Sequence, residues 1–224
     1  MAEGNVFARS ESSVLETNTL IRNTYTLLSM TLLFSGAMAG LAISNPGLGN
    51  FGFIGFLLGF IGLYFLVYMT RNSAFGIVSV FMLTGFLGLS LGPMLLNTLA
   101  MQGGGQIVML AMAMTGTIFL GLSAYVLTTK KDFSFLSGFM MAGIILAVVG
   151  GLVAIIFQVE ILSLAISGLV ALLMCGMILW ETSDLVNGHE TNYIMATVGL
   201  YMAIFNLFVS LIRQIGRASC RERV

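Results

Sequence analysis

Seven apolar stretches occupy most of this 224-residue chain, and each is long enough to cross a lipid bilayer. A membrane-spanning helix needs about 20 predominantly apolar residues. Stretches of that kind lie at roughly 24–44, 51–69, 74–96, 106–128, 133–157, 161–180 and 194–214. Because the hydrocarbon core offers the backbone no hydrogen-bond partners, each stretch must satisfy its own peptide groups as a helix. The sequence therefore predicts an all-α membrane protein, a bundle of seven transmembrane helices.

The composition excludes a soluble globular protein. Only 8% of the residues are charged, and the mean hydropathy is +1.03, whereas a soluble domain carries about 25% charged residues. The nine basic and nine acidic side chains balance, and no basic stripe indicates nucleic-acid binding. The segments between the stretches are short, so neighbouring helices should run antiparallel within one bundle.

Both ends of the chain depart from this apolar pattern. Residues 1–22 are polar and lack the basic start and rapid apolar run of a secretory signal peptide, so we expect a flexible cytoplasmic tail. Residues 23–214 then form the seven-helix transmembrane domain. The sequence IGRASCRERV at 215–224 breaks the composition abruptly and looks like a translated sequencing adapter, which predicts a non-native read-through tail.

The distribution of Lys and Arg predicts the orientation in the membrane. Basic residues precede the first stretch and follow the second and the fourth: Arg9, Arg22, Arg71, Lys130 and Lys131. The connections after the first, third and fifth stretches contain none. Because cytoplasmic loops carry the excess of Lys and Arg, the N-terminus should be cytoplasmic and the C-terminus periplasmic. Arg213 would then lie on the outer side, against this rule.

An acidic cluster follows the sixth stretch, in WETSDLVNGHETNYI. On a continuing helix Glu181 and Asp184 share a face. The helix macrodipole disfavours two carboxylates at a C-terminus, so solvent, a cation or a basic side chain must compensate them. An ionisable group at the membrane edge that faces the bundle is a functional candidate. For Asp184 and Glu190 a hydrated loop is the alternative, and His189 is interpreted as an exposed loop residue.

Two further polar residues are candidates for an ion path. Arg71 lies on the same predicted side as the acids and is an available basic partner. Asn206 lies in the middle of the seventh stretch and must find a partner, either on another helix or along a polar pathway. Glu181 and Asp184 together are a weak candidate site for Ca²⁺, whereas one His and three acids make no zinc pattern. No motif for a cofactor, a nucleotide or an intramembrane protease occurs, so we expect no cofactor and no enzymatic activity.

Four segments carry a resemblance to a known family. They are LIRNTYTLLSMTL, TGFLGLSLGP, AYVLTTKKDFSFLSGFMMAGI and ETSDLVNGHETNYIMATVGLYMAIFNLFVSL. With these segments the chain resembles the Bax inhibitor-1 (BAX-inhibitor-motif) family of membrane proteins from about residue 20 to 212. The KDFSFL loop and the region from ETNYI to FNLFVSL are the specific parts. The resemblance is greatest to a bacterial branch that modulates the membrane protease FtsH.

The resemblance implies a multi-pass protein of the bacterial inner membrane with helix seven in the centre of the other six. It implies a protein that binds and modulates the AAA protease FtsH, with the protease's regulatory complex as a further partner, and that is itself a substrate of FtsH. The alternative that it implies is a pH-sensitive calcium or cation leak channel, gated by protonation near Glu181, with Ca²⁺ or H⁺ as the ion.

In channel members of the family, an acid that ends helix six and an aspartate in helix seven share a proton. Two adjacent carboxylates cannot both ionise cheaply, which makes such a pair sensitive to pH. By resemblance, Glu181 matches the first acid, the second falls on Ala203, and Asn206 matches a family Asn one turn later. The two-carboxylate sensor is therefore incomplete here, and Asp184 is a displaced substitute at best.

Overall fold

The computed structural model describes the backbone of residues 2–221 and the side chains of residues 17–218, except those of Ile155 and Glu160. This part of the chain consists of α-helices joined by short connections. Its helices are α1 (Ala2–Ser44), α2 (Gly52–Thr70), α3 (Phe75–Ser90), α4 (Gly92–Leu99), α5 (Gly104–Thr129), α6 (Leu136–Ile156), α7 (Glu160–Val186) and α8 (Tyr193–Arg221).

Seven candidate membrane spans confirm the predicted fold class. By length and composition they are Thr17–Ser44, Gly52–Thr70, Phe75–Leu99, Gly104–Thr129, Leu136–Ala154, Ile161–Val186 and Tyr193–Ala218. The third span consists of α3 and α4 together. The sixth was expected to end near residue 180, but α7 continues to Val186, so the first two acids of the cluster lie on the helix itself.

Two expected boundaries are not helix boundaries in the structure. The expected tail at residues 1–22 was placed before the first helix, but α1 begins at Ala2. Residues 2–22 contain no proline and a single glycine, so nothing local stops the helix from extending beyond the membrane edge. The expected read-through tail at 215–224 is helical as far as Arg221, and residues 222–224 lie outside the described part of the chain.

Proline accounts for the break inside the third span. α3 ends at Ser90 and α4 starts at Gly92, with Pro93 in the first turn of α4. Proline has no N–H to donate to the carbonyl of Leu89 four residues earlier, and its ring clashes with that carbonyl in a regular helix. The connection between α1 and α2 covers this point, because a Cβ at Gly49 would overlap the Leu89 carbonyl oxygen and lie 3.0 Å from Pro93 Cδ. The break is thus a packing site for another part of the chain.

Helix α8 lies at the centre of the bundle. It packs directly against α1, α3, α5 and α7, whereas α2 packs on α3 and α6 packs on α7 at the periphery. Two apolar clusters lie along α8: one contains Ala203, Leu207, Leu211 and Ile212, and the other contains Ile194, Val198, Leu200, Tyr201 and Ile204. The seventh span thus has the central position that the resemblance implied, and its most extensive contacts are with α7, α1 and α5.

The two ends of the bundle hold different connections. The α2–α3, α5–α6 and α7–α8 connections meet at one end, which we call the inner end because the sequence predicts that it is cytoplasmic. The α1–α2 connection, the α3–α4 break and the C-terminal part of α8 meet at the other, the outer end. The acidic cluster therefore belongs to the inner end and Arg213 to the outer end.

Glycine allows α1 to approach both α3 and α4 closely. A Cβ at Gly88 would overlap the carbonyl oxygen of Ser35 and lie 3.0 Å from its Cα, and a Cβ at Gly92 would lie 2.5 Å from Ala42 Cβ. By contrast, no atom lies within 4 Å of a Cβ at Gly36. In lipid, such small residues let helices associate by close packing.

We expect Gly88→Ala to lower the free energy of unfolding by about 1–3 kcal/mol, because the added methyl group meets rigid backbone of α1. Reversible unfolding in mixed micelles measures this difference. Gly36→Ala is the matched control and should differ from wild type by less than about 0.5 kcal/mol. Equal stability of the two variants would show that the α1–α3 contact is not tight.

Candidate functional site

The Glu181 carboxylate lies between α7 and α8. A Cβ at Gly199 of α8 would overlap this carboxylate and lie 2.6 Å from its Oε2 atom, so the position of the side chain requires glycine opposite it. The residue is half-buried, and no hydrogen bond or ion pair joins its carboxylate to the described part of the chain. Glu181 is therefore an acid held in a helix interface without a polar partner.

Asp184 faces the connection that follows α7. Its Oδ1 atom lies 3.4 Å from Nδ1 of His189, which is the one ion pair within residues 17–218 when the imidazole is protonated. The backbone N–H groups of His189 and Glu190 donate to the Asp184 carbonyl, at 2.9 and 3.2 Å, and so close the end of the helix. His189 is exposed, as expected, but it lies beside an acid of the cluster.

Glu190 has a structural use that the hydrated-loop interpretation did not foresee. Its Oε1 atom accepts hydrogen bonds from the backbone N–H groups of Thr191 and Asn192, at 2.8 and 2.7 Å. These bonds shape the connection just before α8 begins. Glu190 therefore orders the backbone at the inner end rather than extending into solvent.

Arg71 does not compensate the acids. Its guanidinium carbon lies 4.4 Å above the ring centre of Tyr68, a cation–π contact within its own helix end. Within the described residues it forms no ion pair. The expected role as basic partner of Glu181 or Asp184 is thus not seen, because the side chain turns back along α2.

Asn206 forms no hydrogen bond with the acids either. Its Nδ2 atom donates to the carbonyl of Met202, one turn earlier in α8, at 2.8 Å. The amide thereby finds its partner within its own helix, so the expected bond to another helix is not formed. Ala203, the position expected by resemblance to correspond to the family's second acid, is buried in the apolar cluster that includes Ile178 of α7.

The geometry at the inner end offers few ligands for a metal ion. Among the residues that the structure describes, no three His, Cys, Asp or Glu side chains converge. Glu181 and Asp184 share one face of α7, and the Asp184 carboxylate is engaged with His189. As a pair they remain a predicted weak candidate for Ca²⁺ binding, which the structure does not test.

Asn192, which the sequence interpretation missed, joins two connections at the inner end. Its Nδ2 atom donates to the carbonyl of Arg71 at 3.0 Å and to Oδ1 of Asn72 at 2.9 Å. Its Oδ1 atom accepts the N–H groups of Ile194 and Met195, at 3.0 and 3.2 Å, and so caps α8. An Asn directly before an apolar run is a helix-start signal that could have revealed the cap.

Ser183 was also missed and holds the α5–α6 connection against α7. Its Oγ atom accepts the N–H of Phe133 at 2.9 Å and donates to the carbonyl of Lys131 at 3.2 Å. Within that connection, hydrogen bonds from the Ser134 hydroxyl and N–H hold the pKa of the exposed Asp132 carboxyl below its usual range. Both connections that flank the acids are therefore ordered by hydrogen bonds.

Asn192→Ala should lower the free energy of unfolding by about 1–2 kcal/mol, because the cap of α8 and the link to the α2–α3 connection are both lost. Asn192→Asp keeps the capping oxygen and loses only the two donated bonds, so its loss should be smaller. Unfolding in mixed micelles gives both values. A wild-type stability for the alanine variant would contradict the assignment of this link.

Comparison with known proteins places this geometry in a family. The family model described as "Inhibitor of apoptosis-promoting Bax1" matches residues 17–220. "Modulator of FtsH protease YccA" of Escherichia coli K12 is 46% identical over 216 residues, which cover 95% of this chain and 96% of that protein. "Inner membrane protein YccA" of Escherichia coli O6:H1 has the same identity and coverage.

Relatives from other bacteria are similar over most of their length. An uncharacterized protein of Pseudomonas aeruginosa, PA2604, is 48% identical, with 91% of each chain covered. An uncharacterized membrane protein of Vibrio cholerae is 44% identical, with 94% of this chain and 96% of that protein covered. Together with the seven spans and the central α8, these matches show that the chain belongs to the Bax inhibitor-1 family.

Proposed function

We propose that this protein is a multi-pass inner-membrane protein that binds and modulates the membrane AAA protease FtsH and is itself degraded by it. One observation carries the proposal: the relative named as a modulator of FtsH protease is 46% identical over 95% of this chain and 96% of its own length. A match of that extent covers the whole seven-span bundle and the segments between the spans.

The fold supports a mechanism for modulation by a slowly degraded substrate. An AAA protease that reaches the inner end must pull a polar segment and then extract helices from the bilayer. Contacts such as Gly88 against Ser35 and the hydroxyl bond of Tyr201 to Ser35, at 2.6 Å, resist separation of α1 from the bundle. A bound substrate that unfolds slowly occupies the protease and excludes other substrates.

We propose that the protease first engages the polar N-terminal segment. It belongs to α1, whose membrane-spanning part begins near Thr17, and the predicted orientation places it on the cytoplasmic side. Chain termini in general open more readily than a packed core. The protease would therefore engage residues before Thr17 first.

Deleting residues 2–20 should lengthen the lifetime of the protein several-fold in cells with active FtsH, because the segment that the protease engages first is removed. Pulse-chase turnover measures this. The matched control is the same pair of proteins in cells with a proteolytically inactive protease, where both lifetimes should be long and equal. Unchanged turnover, together with failure of the full chain to co-purify with the protease, would remove this function.

The alternative is a pH-sensitive calcium or cation leak gated near Glu181. Its support is the partnerless carboxylate packed against Gly199. A neutral carboxyl fits this interface, whereas an ionised one requires water or a cation and is repelled by Asp184. Ionisation would therefore favour a wetter arrangement of α7 and α8, and protonation the packed one.

Under this alternative, calcium flux from proteoliposomes should rise with pH for wild type and stay low at every pH for Glu181→Gln. Glu190→Gln is the matched control, since Glu190 bonds the backbone of the α7–α8 connection, and it should keep the pH dependence. Ala203→Asp restores the second acid that the resemblance implies and should shift the response to higher pH. Absence of calcium flux at every pH would dismiss the channel.

A further inference from the structure

Arg213 is a basic residue at the outer end of the bundle, whereas the Lys and Arg residues that precede the first span and follow the second and fourth lie at the inner end. Cytoplasmic placement is the rule for such residues, so an exception needs a physical reason. The helix macrodipole does not supply one, because α8 continues to Arg221 and Arg213 is not in its last turn.

Within the described part of the chain, no acidic side chain neutralises Arg213. It forms no ion pair within the described residues, and the charge that acts on it is the like charge of Arg217. A guanidinium at the membrane edge is unfavourable unless an anion, a backbone carbonyl or water accepts its hydrogen bonds. Because the Arg213 side chain is exposed, it is available to an anion from outside the chain.

A cleft of about 320 Å³ lies beside this guanidinium. Its walls come from the α1–α2 connection, from the α3–α4 break and from one face of α8 that ends at Arg213. The apolar part includes Phe56, Phe205 and Val209, and the polar part includes Asn50 and Ser90. One cation among the residues that line a largely apolar cleft suits a ligand with an anionic head and a hydrocarbon chain.

The walls of the cleft are fixed by packing. Gly49 lies against the Leu89 carbonyl and Pro93, as described above. The Phe51 and Phe56 rings lie 4.7 and 5.9 Å from the ring of Phe86, which ties the start of α2 to α3. The cleft is thus a feature of the folded bundle rather than a gap left by a loose connection.

We propose that this cleft binds an anionic phospholipid of the outer leaflet, such as phosphatidylglycerol, with its phosphate on the Arg213 guanidinium and an acyl chain along the apolar wall. The planar guanidinium binds phosphate through two parallel hydrogen bonds. Phosphatidylethanolamine fits less well, because none of the described residues that line the cleft is acidic and its ammonium group would have no partner.

The proposal depends on Arg213 and not on the segment at 215–224. A second cavity of about 470 Å³ adjoins the first and shares Ser90, Met94 and Arg213 with it, but Gly216 and Arg217 also line it. Arg217→Gln should leave the lipid affinity within about twofold of wild type, because Arg217 lines the second cavity and not the cleft.

Native mass spectrometry of the full chain with added phosphatidylglycerol tests the site. One molecule should bind wild type, and Arg213→Gln should weaken this binding about tenfold or more, since a charge-assisted bidentate contact is lost. Arg213→Lys keeps the positive charge but loses the two parallel hydrogen-bond donors, so its affinity should lie between those of wild type and Arg213→Gln. Arg22→Gln, at the inner end, is the matched control and should bind as wild type does.

Two further measurements use the wild-type protein alone, so their results do not depend on whether the variants fold. Phosphatidylethanolamine should bind at least about tenfold more weakly than phosphatidylglycerol, and millimolar inorganic phosphate should not displace the lipid. Equal binding of the two lipids, displacement by free phosphate, or unchanged binding by Arg213→Gln would each overturn the proposal. None of these results bears on FtsH, so this inference and the proposed function fail separately.

Discussion

Inside a bilayer the peptide groups of this chain have no water to bond to, and that constraint governs how polar side chains in the spans are used. Many of the hydroxyl groups return to a carbonyl one turn earlier in their own helix, as at Thr115 and Thr117. Such bonds satisfy the hydroxyl without joining two helices. Association of the helices therefore depends on close packing at small residues and on a few bonds between helices.

Helix α8 makes several of those contacts. Tyr201, which is 1% exposed, shares a hydrogen bond with Ser35 of α1 and donates to the Thr84 carbonyl of α3 at 3.3 Å. Gly199, half a turn away, gives its space to the carboxylate of Glu181. One side of α8 thus bonds to other helices through the Tyr201 hydroxyl group. Another side has room for the Glu181 carboxylate because Gly199 has no side chain. This central helix couples the acid of α7 to the packing of the whole bundle.

The two ends of the bundle are built differently. At the inner end Asn192 and Ser183 tie the connections to one another by hydrogen bonds, so the acidic cluster lies in an ordered setting. At the outer end Arg213 lines a cleft that has both polar and apolar residues in its walls. A protease that acts from the cytoplasm and a lipid that acts from the other leaflet would therefore use separate surfaces, and α8 connects them.

The sequence by itself determined the properties that are local. The length and apolarity of each stretch fixed the seven spans, the missing N–H of Pro93 fixed the break in the third, and the polar segment from Trp180 to Ile194 marked the end of the sixth. The same local patterns identified the family. Extension of α1 to Ala2 was missed, because polarity was taken as a sign of a tail although no residue there stops a helix.

Only the tertiary structure decided which side chains meet. It turned Arg71 onto Tyr68 instead of an acid, gave Asn206 a carbonyl of its own helix, placed Gly199 opposite Glu181, and set Arg213 beside an open cleft. The physical reason is that these contacts depend on the rotation and axial offset of each helix. In a helix of a soluble protein an apolar stripe reveals the buried face. A membrane span is apolar both where it faces lipid and where it faces protein, so its sequence does not reveal which face packs against other helices.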